Sequence, residues 1–384
     1  QPHVDPNPIV RRRLREENEK PGYPQTLGEP DTLAAGVRLL KNYFPQVAFE
    51  TDELMVTVGA TGALCSVFAA LVEKPEDKIL TFGAFFATYE GQVEQWNGNI
   101  EVIPAEKNPF RPTEEEFRAT LEKYPGTKAL LLNYPNNPSG VSLRREDAQM
   151  IARVLSEEKY QHIQIIIDDV YRDFDHLEHV TLLDVAPELK DRCAVVLSAS
   201  KGLYGDPGVR AGLLAGSKDL IKACTPTQIT TVASATSQAQ RVMYHAATEY
   251  LENADQGKTS AWLMNTKNEY KKNLAVASQA FKEAGFKIPI EPEGAFFLIV
   301  DASSLRGKMD PENNKVMQND ADIAEYFMTA AGVSVVPGQG FRFAPEKCYL
   351  RISCAQPEAN LRLAAQRMGA AAKLLQYPIA KPKL

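Results

Sequence analysis

Four short segments hold the residues whose types and spacing could do chemistry. Ser198-Ala-Ser-Lys201 sets a lysine between small hydroxyl residues after an apolar run, and Arg210 follows nine residues later in Asp206-Pro-Gly-Val-Arg-Ala-Gly212. A lysine in such a place is a candidate for Schiff-base chemistry, because desolvation readily removes its charge. The planar fork of Arg210, stiffened by Pro207-Gly208, suits a phosphate. Upstream, Gly59-Ala60-Thr61-Gly62 ends a β-branched run and opens a helical pattern. Small residues there let backbone N–H groups and the Thr61 hydroxyl approach an anion. Asp168-Asp-Val-Tyr171 follows another apolar run, where a buried carboxylate must find a partner. A protonated ring nitrogen, a helix N-terminus or a lysine would each serve. Asn133-Tyr-Pro-Asn-Asn-Pro-Ser-Gly140 is a stiff loop able to hold an amide in place, with Asn137-Pro138 a position where a cis peptide is cheap. Each segment also has a plain reading: a strand-to-helix turn, an ordinary loop, a carboxylate in an ion pair, a surface lysine.

The elements that must position these residues follow from periodicity. Strand-like runs at Leu54–Val58, Lys78–Phe82, Asn99–Pro104, Lys128–Asn133, Ile163–Asp168, Cys193–Ser198 and Arg210–Ala215 alternate with helical patterns such as Gly62–Lys74, Thr113–Tyr124 and Leu143–Glu158. Runs that are apolar on both faces and separated by helices predict an α/β fold with a mainly parallel sheet sandwiched by helices. Ligands of such sheets lie at the carboxyl ends of the strands, where the four segments fall. Residues 217–285 read as almost continuous helix. Short strands at Ala295–Val300, Val333–Val336 and Cys348–Ser353, then a helix over Pro357–Leu375, predict a smaller α+β C-terminal domain. We expect a large domain over residues 1–280, its proline-rich start with Arg11–Arg13 forming an arm, and a small domain over 281–384.

Composition narrows the class. The 384 residues carry 43 Lys and Arg against 49 Asp and Glu, a net charge of −6. That balance lacks the basic surplus of a nucleic-acid binder. No apolar run is long enough to span a membrane and no secretory signal is evident. Five scattered cysteines with no CxxC pair argue for a reducing compartment, so a cytoplasmic enzyme is expected. His176-Leu-Glu-His179 has the spacing of a metal pair but no further ligands, and is read as a solvated surface; no metal site is expected.

Taken together, the four segments form a kit for pyridoxal phosphate: a lysine for the aldehyde, an aspartate for the pyridinium, an arginine and backbone amides for the phosphate. Tyr134-Pro-Asn-Asn-Pro-Ser-Gly140, Asp168-Asp-Val-Tyr171 and Ser198-Ala-Ser-Lys201 resemble, as a set, the class I/II aminotransferases of pyridoxal phosphate fold type I, from about Tyr23 to Arg351. The resemblance implies that Lys201 forms the internal aldimine and shuttles a proton, and that Asp168 keeps the pyridine nitrogen protonated. It implies that Tyr171 and Asn137 bond the ring's phenolic oxygen, and that Ala60, Thr61, Ser198 and Arg210 bind the phosphate. Phe86, in Phe85-Phe86-Ala-Thr-Tyr89, matches the family's ring-stacking aromatic. Tyr23, five residues before Gly28, matches a tyrosine lent to the neighbouring subunit's phosphate, which implies a homodimer with shared sites. Arg351, in Tyr349-Leu-Arg-Ile-Ser353, matches the clamp on the substrate α-carboxylate, beside Asn137.

Two departures stand out. The family usually puts the phosphate arginine eight positions after the aldimine lysine, whereas here Arg210 lies nine positions after Lys201, a spacing more like the alanine aminotransferase branch. The family's opening substrate-contacting glycine has no counterpart before Pro2, so the given chain is expected to start just after it. The expected reaction is transfer of an amino group from an L-amino acid to a 2-oxo acid; Phe86, Tyr89 and Tyr134 favour neutral or aromatic side chains. A C–S lyase or another pyridoxal phosphate reaction on the same fold is the alternative, since the cofactor carries the difficult step.

Overall fold

A computed structural model describes residues 4–17, 22–104 and 110–378. They divide into two compact units, one of Gln1–Gly83, Thr88–Pro135 and Ser142–Lys267, the other of Ala84–Ala87, Asn136–Val141 and Asn268–Leu384. The boundary expected near residue 280 lies in the same helix, Ala261–Glu283, that this division crosses.

The first unit is built on seven strands: β1 (Leu54–Val58), β2 (Lys78–Phe82), β3 (Asn99–Ile103), β4 (Thr127–Leu132), β5 (Gln164–Asp168), β6 (Cys193–Ser198) and β7 (Ala211–Ala215). Their order is β1-β7-β6-β5-β4-β2-β3. β7 runs antiparallel to both its neighbours, and every other pair is parallel. The central strands are apolar on both faces: Leu130, Leu131, Ile165, Ile166, Val195 and Val196 are all fully buried. Each contributes about 1.5–3 kcal/mol by leaving water. Flanking helices are α1 (Pro8–Glu16), α2 (Pro30–Tyr43), α3 (Gly59–Leu71), α4 (Thr88–Glu94), α5 (Glu114–Lys123), α6 (Arg145–Leu155), α7 (Lys218–Val232) and α8 (Ser237–Ala254), followed by α9 (Ala261–Glu283).

Three expectations are corrected here. The chain start is a packed helix rather than an arm: Asn7 caps α1 by accepting from Ile9 and Val10 N–H, and Val10 is fully buried. Residues 217–285 form three helices rather than one run. Ala233, at positive φ, ends α7, and Gly257, also at positive φ, lies between α8 and α9. The cis peptide is Tyr134-Pro135, not Asn137-Pro138.

The second unit has an antiparallel sheet of β8 (Phe297–Asp301), β9 (Val336–Pro337) and β10 (Tyr349–Ser353) in the order β8-β10-β9, with α10 (Asp320–Ala330) and α11 (Glu358–Leu374). Its core gathers Phe281, Phe286, Leu298, Ile323, Phe327, Leu350 and Ile352. Along β10, Leu350 and Ile352 are buried and Tyr349, Arg351 and Ser353 are only partly so. Successive strand residues face opposite sides, so Arg351 points away from this core.

Candidate active site

The antiparallel β7 explains the first cluster. Because it runs against its neighbours, its first residues lie at the edge where β1 and β6 end; Val58 pairs with Ala211, and Ser198 with Gly212. Arg210, one residue before β7, therefore meets the start of α3. Its Nη2 lies 3.4 Å from Thr61 Oγ1, and its Nη1 donates to the Pro207 carbonyl at 3.0 Å. Arg210 holds left-handed backbone (φ 55°), which costs a non-glycine residue roughly 1–2 kcal/mol. Such outliers persist where the surroundings over-determine them. At Gly59 (φ 66°) a Cβ would come 2.6 Å from Arg210 Nη2, and at Gly212 one would come 2.6 Å from the Gly59 carbonyl carbon. Only glycine allows this close approach. No side chain caps α3, so the N–H groups of Gly59, Ala60 and Thr61 begin the helix without one. On the adjoining strand, Ser198 Oγ accepts from Ser200 N–H at 3.1 Å and donates to Ser200 Oγ at 3.0 Å.

Beside this anion-suited corner lies a buried carboxylate. Asp168, the last residue of β5, is 4% exposed. Its Oδ2 accepts from the Tyr89 hydroxyl, while Oδ1 is buried with no hydrogen-bond partner among the described residues. Its pKa is raised to about 7: burial and the neighbouring Asp169 push it up, while the Tyr89 hydroxyl, the Val170 N–H and the charge of Lys201 pull against them. Burial and the Asp168 charge hold the Tyr89 hydroxyl protonated, so it stays a donor. Asn133 Nδ2 donates to the Asp168 carbonyl at 3.0 Å and fixes the strand end. Lys201 sits in the wide turn Ala199–Leu203 that follows β6, with its Nζ 5.7 Å from the centre of the buried Tyr171 ring.

The second unit holds a separate group. Arg351 Nη1 donates to Asn137 Oδ1 at 2.9 Å, and its guanidinium lies 4.7 Å from the ring centres of both Phe297 and Phe341. The Phe341 carbonyl in turn accepts from Phe85 N–H at 3.2 Å, which ties in the segment carrying the half-buried Phe86.

Of the residues singled out from sequence, Asp168, Tyr171 and Lys201 share the first unit with Ala60, Thr61, Ser198 and Arg210, while Phe86, Asn137 and Arg351 share the second. Tyr23 stands apart, 99% exposed. Of the three aromatics expected to wall the site, Tyr89 is engaged with Asp168, and Tyr134 donates to the Phe110 carbonyl at 2.7 Å. Sequence reasoning missed the Tyr89 contact, although a polar aromatic three residues after Phe86 was its signal, and it missed the rings around Arg351. His179 is also corrected: it is not on a solvated surface but half-buried beside the buried Asp169 and Asp175, at 2.9 and 3.2 Å.

Known proteins resemble this chain along most of its length. The family described as aminotransferase class I and II matches residues 8–368. A probable aspartate/prephenate aminotransferase of Rickettsia felis is 32% identical over 325 residues, covering 84% of this chain and 75% of the relative. An aspartate aminotransferase of Rhizobium meliloti is 30% identical over 335 residues, 86% of this chain and 76% of the relative. A crystal structure of the aspartate aminotransferase from Rhizobium meliloti superposes with a TM-score of 0.86 at 27% identity, covering 98% of this chain and 90% of that one.

Proposed function

The chain belongs to the class I and II aminotransferases, enzymes that use pyridoxal phosphate, and from that premise we propose that Lys201 is the cofactor's covalent anchor and the proton carrier at the substrate Cα. When bound, pyridoxal phosphate supplies an electron sink for the negative charge that develops at that carbon. The residues present fit the group. The observation that carries the reading is Asp168 Oδ1, a buried acceptor with no hydrogen-bond partner among the described residues, in the unit that also holds Lys201 and an uncapped helix start beside Arg210. A protonated ring nitrogen is the donor this oxygen suits. The N–H groups of Ala60 and Thr61, the Thr61 and Ser198 hydroxyls and the Arg210 fork would hold the phosphate. Tyr171 and Asn137 would bond the phenolic oxygen, and Phe86 would stack on the ring. Arg351, with Asn137, would clamp the substrate α-carboxylate.

The substrates are read as an L-amino acid and a 2-oxo acid, with neutral or aromatic side chains supported by the rings of Phe297 and Phe341 beside the clamp. A second reading, a dicarboxylic amino acid, is favoured by the names of the relatives. The exposed Tyr23 supports a homodimer in which it completes the neighbour's phosphate site. All five cysteines are free, which suits the cytoplasm. We keep residues 1–280 as the cofactor-binding domain and 281–384 as the small domain.

The test is reduction of the holoenzyme with borohydride followed by peptide mapping. The label is expected on Lys201 alone, and a label elsewhere sinks the assignment. A screen of amino acids for loss of the visible cofactor band then ranks aromatic, neutral and dicarboxylic substrates. Turnover in proportion to added 2-oxo acid separates a transaminase from a lyase.

A further inference from the structure

Asp168 and Asp169 are adjacent carboxylates at one strand end, and both are almost completely buried, at 4% and 2% exposure. Side chains alternate along a strand, so the two point in different directions. Two buried like charges this close oppose each other's ionisation unless something neutralises one of them. Two of the protein's cations contact Asp169, whereas Asp168 feels the charge of Lys201. Arg172 forms an ion pair with its Oδ2, and His179 Nε2 stands 2.9 Å from its Oδ1. Burial alone would raise the Asp169 pKa, but the His179 and Arg172 charges outweigh it and hold the carboxyl below its ordinary value.

Further charged groups stand near His179. Its Nδ1 lies 3.2 Å from Asp175 Oδ2, and Asp175 Oδ1 accepts from Ser142 Oγ at 2.7 Å. Asp173, Tyr43, Tyr250 and Lys267 act on the same cluster, and the Arg172 guanidinium lies 3.7 Å from the centre of the Tyr43 ring. Asp173 reaches the other reactive group: a Cβ on Gly202, the residue after Lys201, would come 2.2 Å from Asp173 Cβ. The cluster therefore touches the chain next to Asp168 and next to Lys201.

We propose that His179 is a positioning residue that neutralises Asp169, so that Asp168 remains the ionised carboxylate facing the cofactor's ring nitrogen. This rests on the role given to Asp168 above. Three carboxyls, Asp169, Asp173 and Asp175, share Arg172 and His179, and loss of His179 leaves Arg172 as the only cation in direct contact with Asp169 among the described residues. The repulsion then falls on Asp168, whose grip on a pyridinium weakens.

The experiment compares wild type, His179→Gln, Asp169→Asn and the double variant. Apoenzyme is titrated with pyridoxal phosphate, and the pH midpoint of the visible band is recorded. His179→Gln is expected to weaken cofactor binding about tenfold and to move the midpoint upward, since a positive charge has been removed. Adding Asp169→Asn is expected to recover most of that loss, because the charge His179 offset is gone. A His179→Gln enzyme within twofold of wild type overturns the proposal, as does a double variant no better than the single, the mark of a merely packed histidine. If His179→Gln does not fold, the double is read against Asp169→Asn, and a gap wider than about threefold between them overturns it. Asp168→Asn runs in parallel: unaltered cofactor binding and half-reaction in that variant would bring down the Asp168 reading itself, whatever His179 does.

Discussion

In the first unit, Asp168 and Ser198 end their strands, Lys201 follows in the next turn, and backbone register decides their neighbours. In the second unit, Arg351 sits in mid-strand and two phenyl rings flank its guanidinium. The first arrangement is held by main-chain hydrogen bonds and glycine contacts that no side-chain rotation undoes. The second depends on side chains packed around a cation. Charge is handled differently too: the first unit buries several opposite charges together, whereas the second offers one cation to a neutral amide and two rings. We read the first unit as the seat of the chemical step and the second as the seat of substrate affinity.

The largest expected effect tests that division at Asp168. If Asp168 faces the ring nitrogen as proposed, Asp168→Asn removes that charge and leaves the proposed phosphate ligands in place. Single-turnover loss of the cofactor band should slow by about a hundredfold, some 3 kcal/mol, with little change in substrate affinity. A normal rate in a destabilised protein would make Asp168 structural and break the comparison. Next comes Arg351→Lys, which keeps the charge but loses the fork. The KM for the amino acid should rise about tenfold with kcat reduced much less. A fall confined to kcat would mean that the second unit also serves the chemical step. The smallest effect concerns stability. The pKa of His179 is raised from its ordinary 6.5 to about 9: burial lowers it, but the charge of Asp169, 2.9 Å away, outweighs that. A histidine favoured in its protonated form stabilises the fold fully below its unfolded pKa, and loses that contribution as pH rises through the folded one. The Tm gap between wild-type and His179→Gln apoenzyme should thus be widest near pH 6, at a few degrees, and narrow on passing pH 9. A gap that does not change with pH would mean His179 contributes packing and no charge.

The contrast also explains what was legible in the sequence. Strands that are apolar on both faces announce a parallel sheet, and residues following them must lie at its edge, so Asp168, Lys201 and Thr61 could be picked out by position. Arg210 was legible as a phosphate candidate, but its place depends on β7 running backwards, which periodicity does not encode. The pairing of Tyr89 with Asp168 and of His179 with Asp169 joins residues 79 and 10 positions apart through burial, and nothing local in the sequence signals burial of a polar pair. The spacing of His176-Leu-Glu-His179 suggests a metal pair and its charged neighbours suggest a solvated surface; here those charges face one another around the half-buried His179. The helix α1 was missed because a run of three arginines conceals one buried face, that of Val10.

The second unit is assembled from three pieces of chain, and this bears on the order in which the protein can be made. Residues 84–87 and 136–141 leave the ribosome long before the strands they join. Gly140 awaits Glu293 and Gly294, whose N–H groups its carbonyl accepts at 2.8 Å, and Asn137 awaits an arginine 214 residues downstream. The first unit's seven-stranded sheet can close once β7 has been synthesised, but the second cannot close until β10 is complete. Its contacts are of high sequence separation, the kind that forms slowly. A gene divided at residue 268 would encode a C-terminal fragment lacking two of the second unit's own three segments, so that unit cannot be made from one stretch of gene.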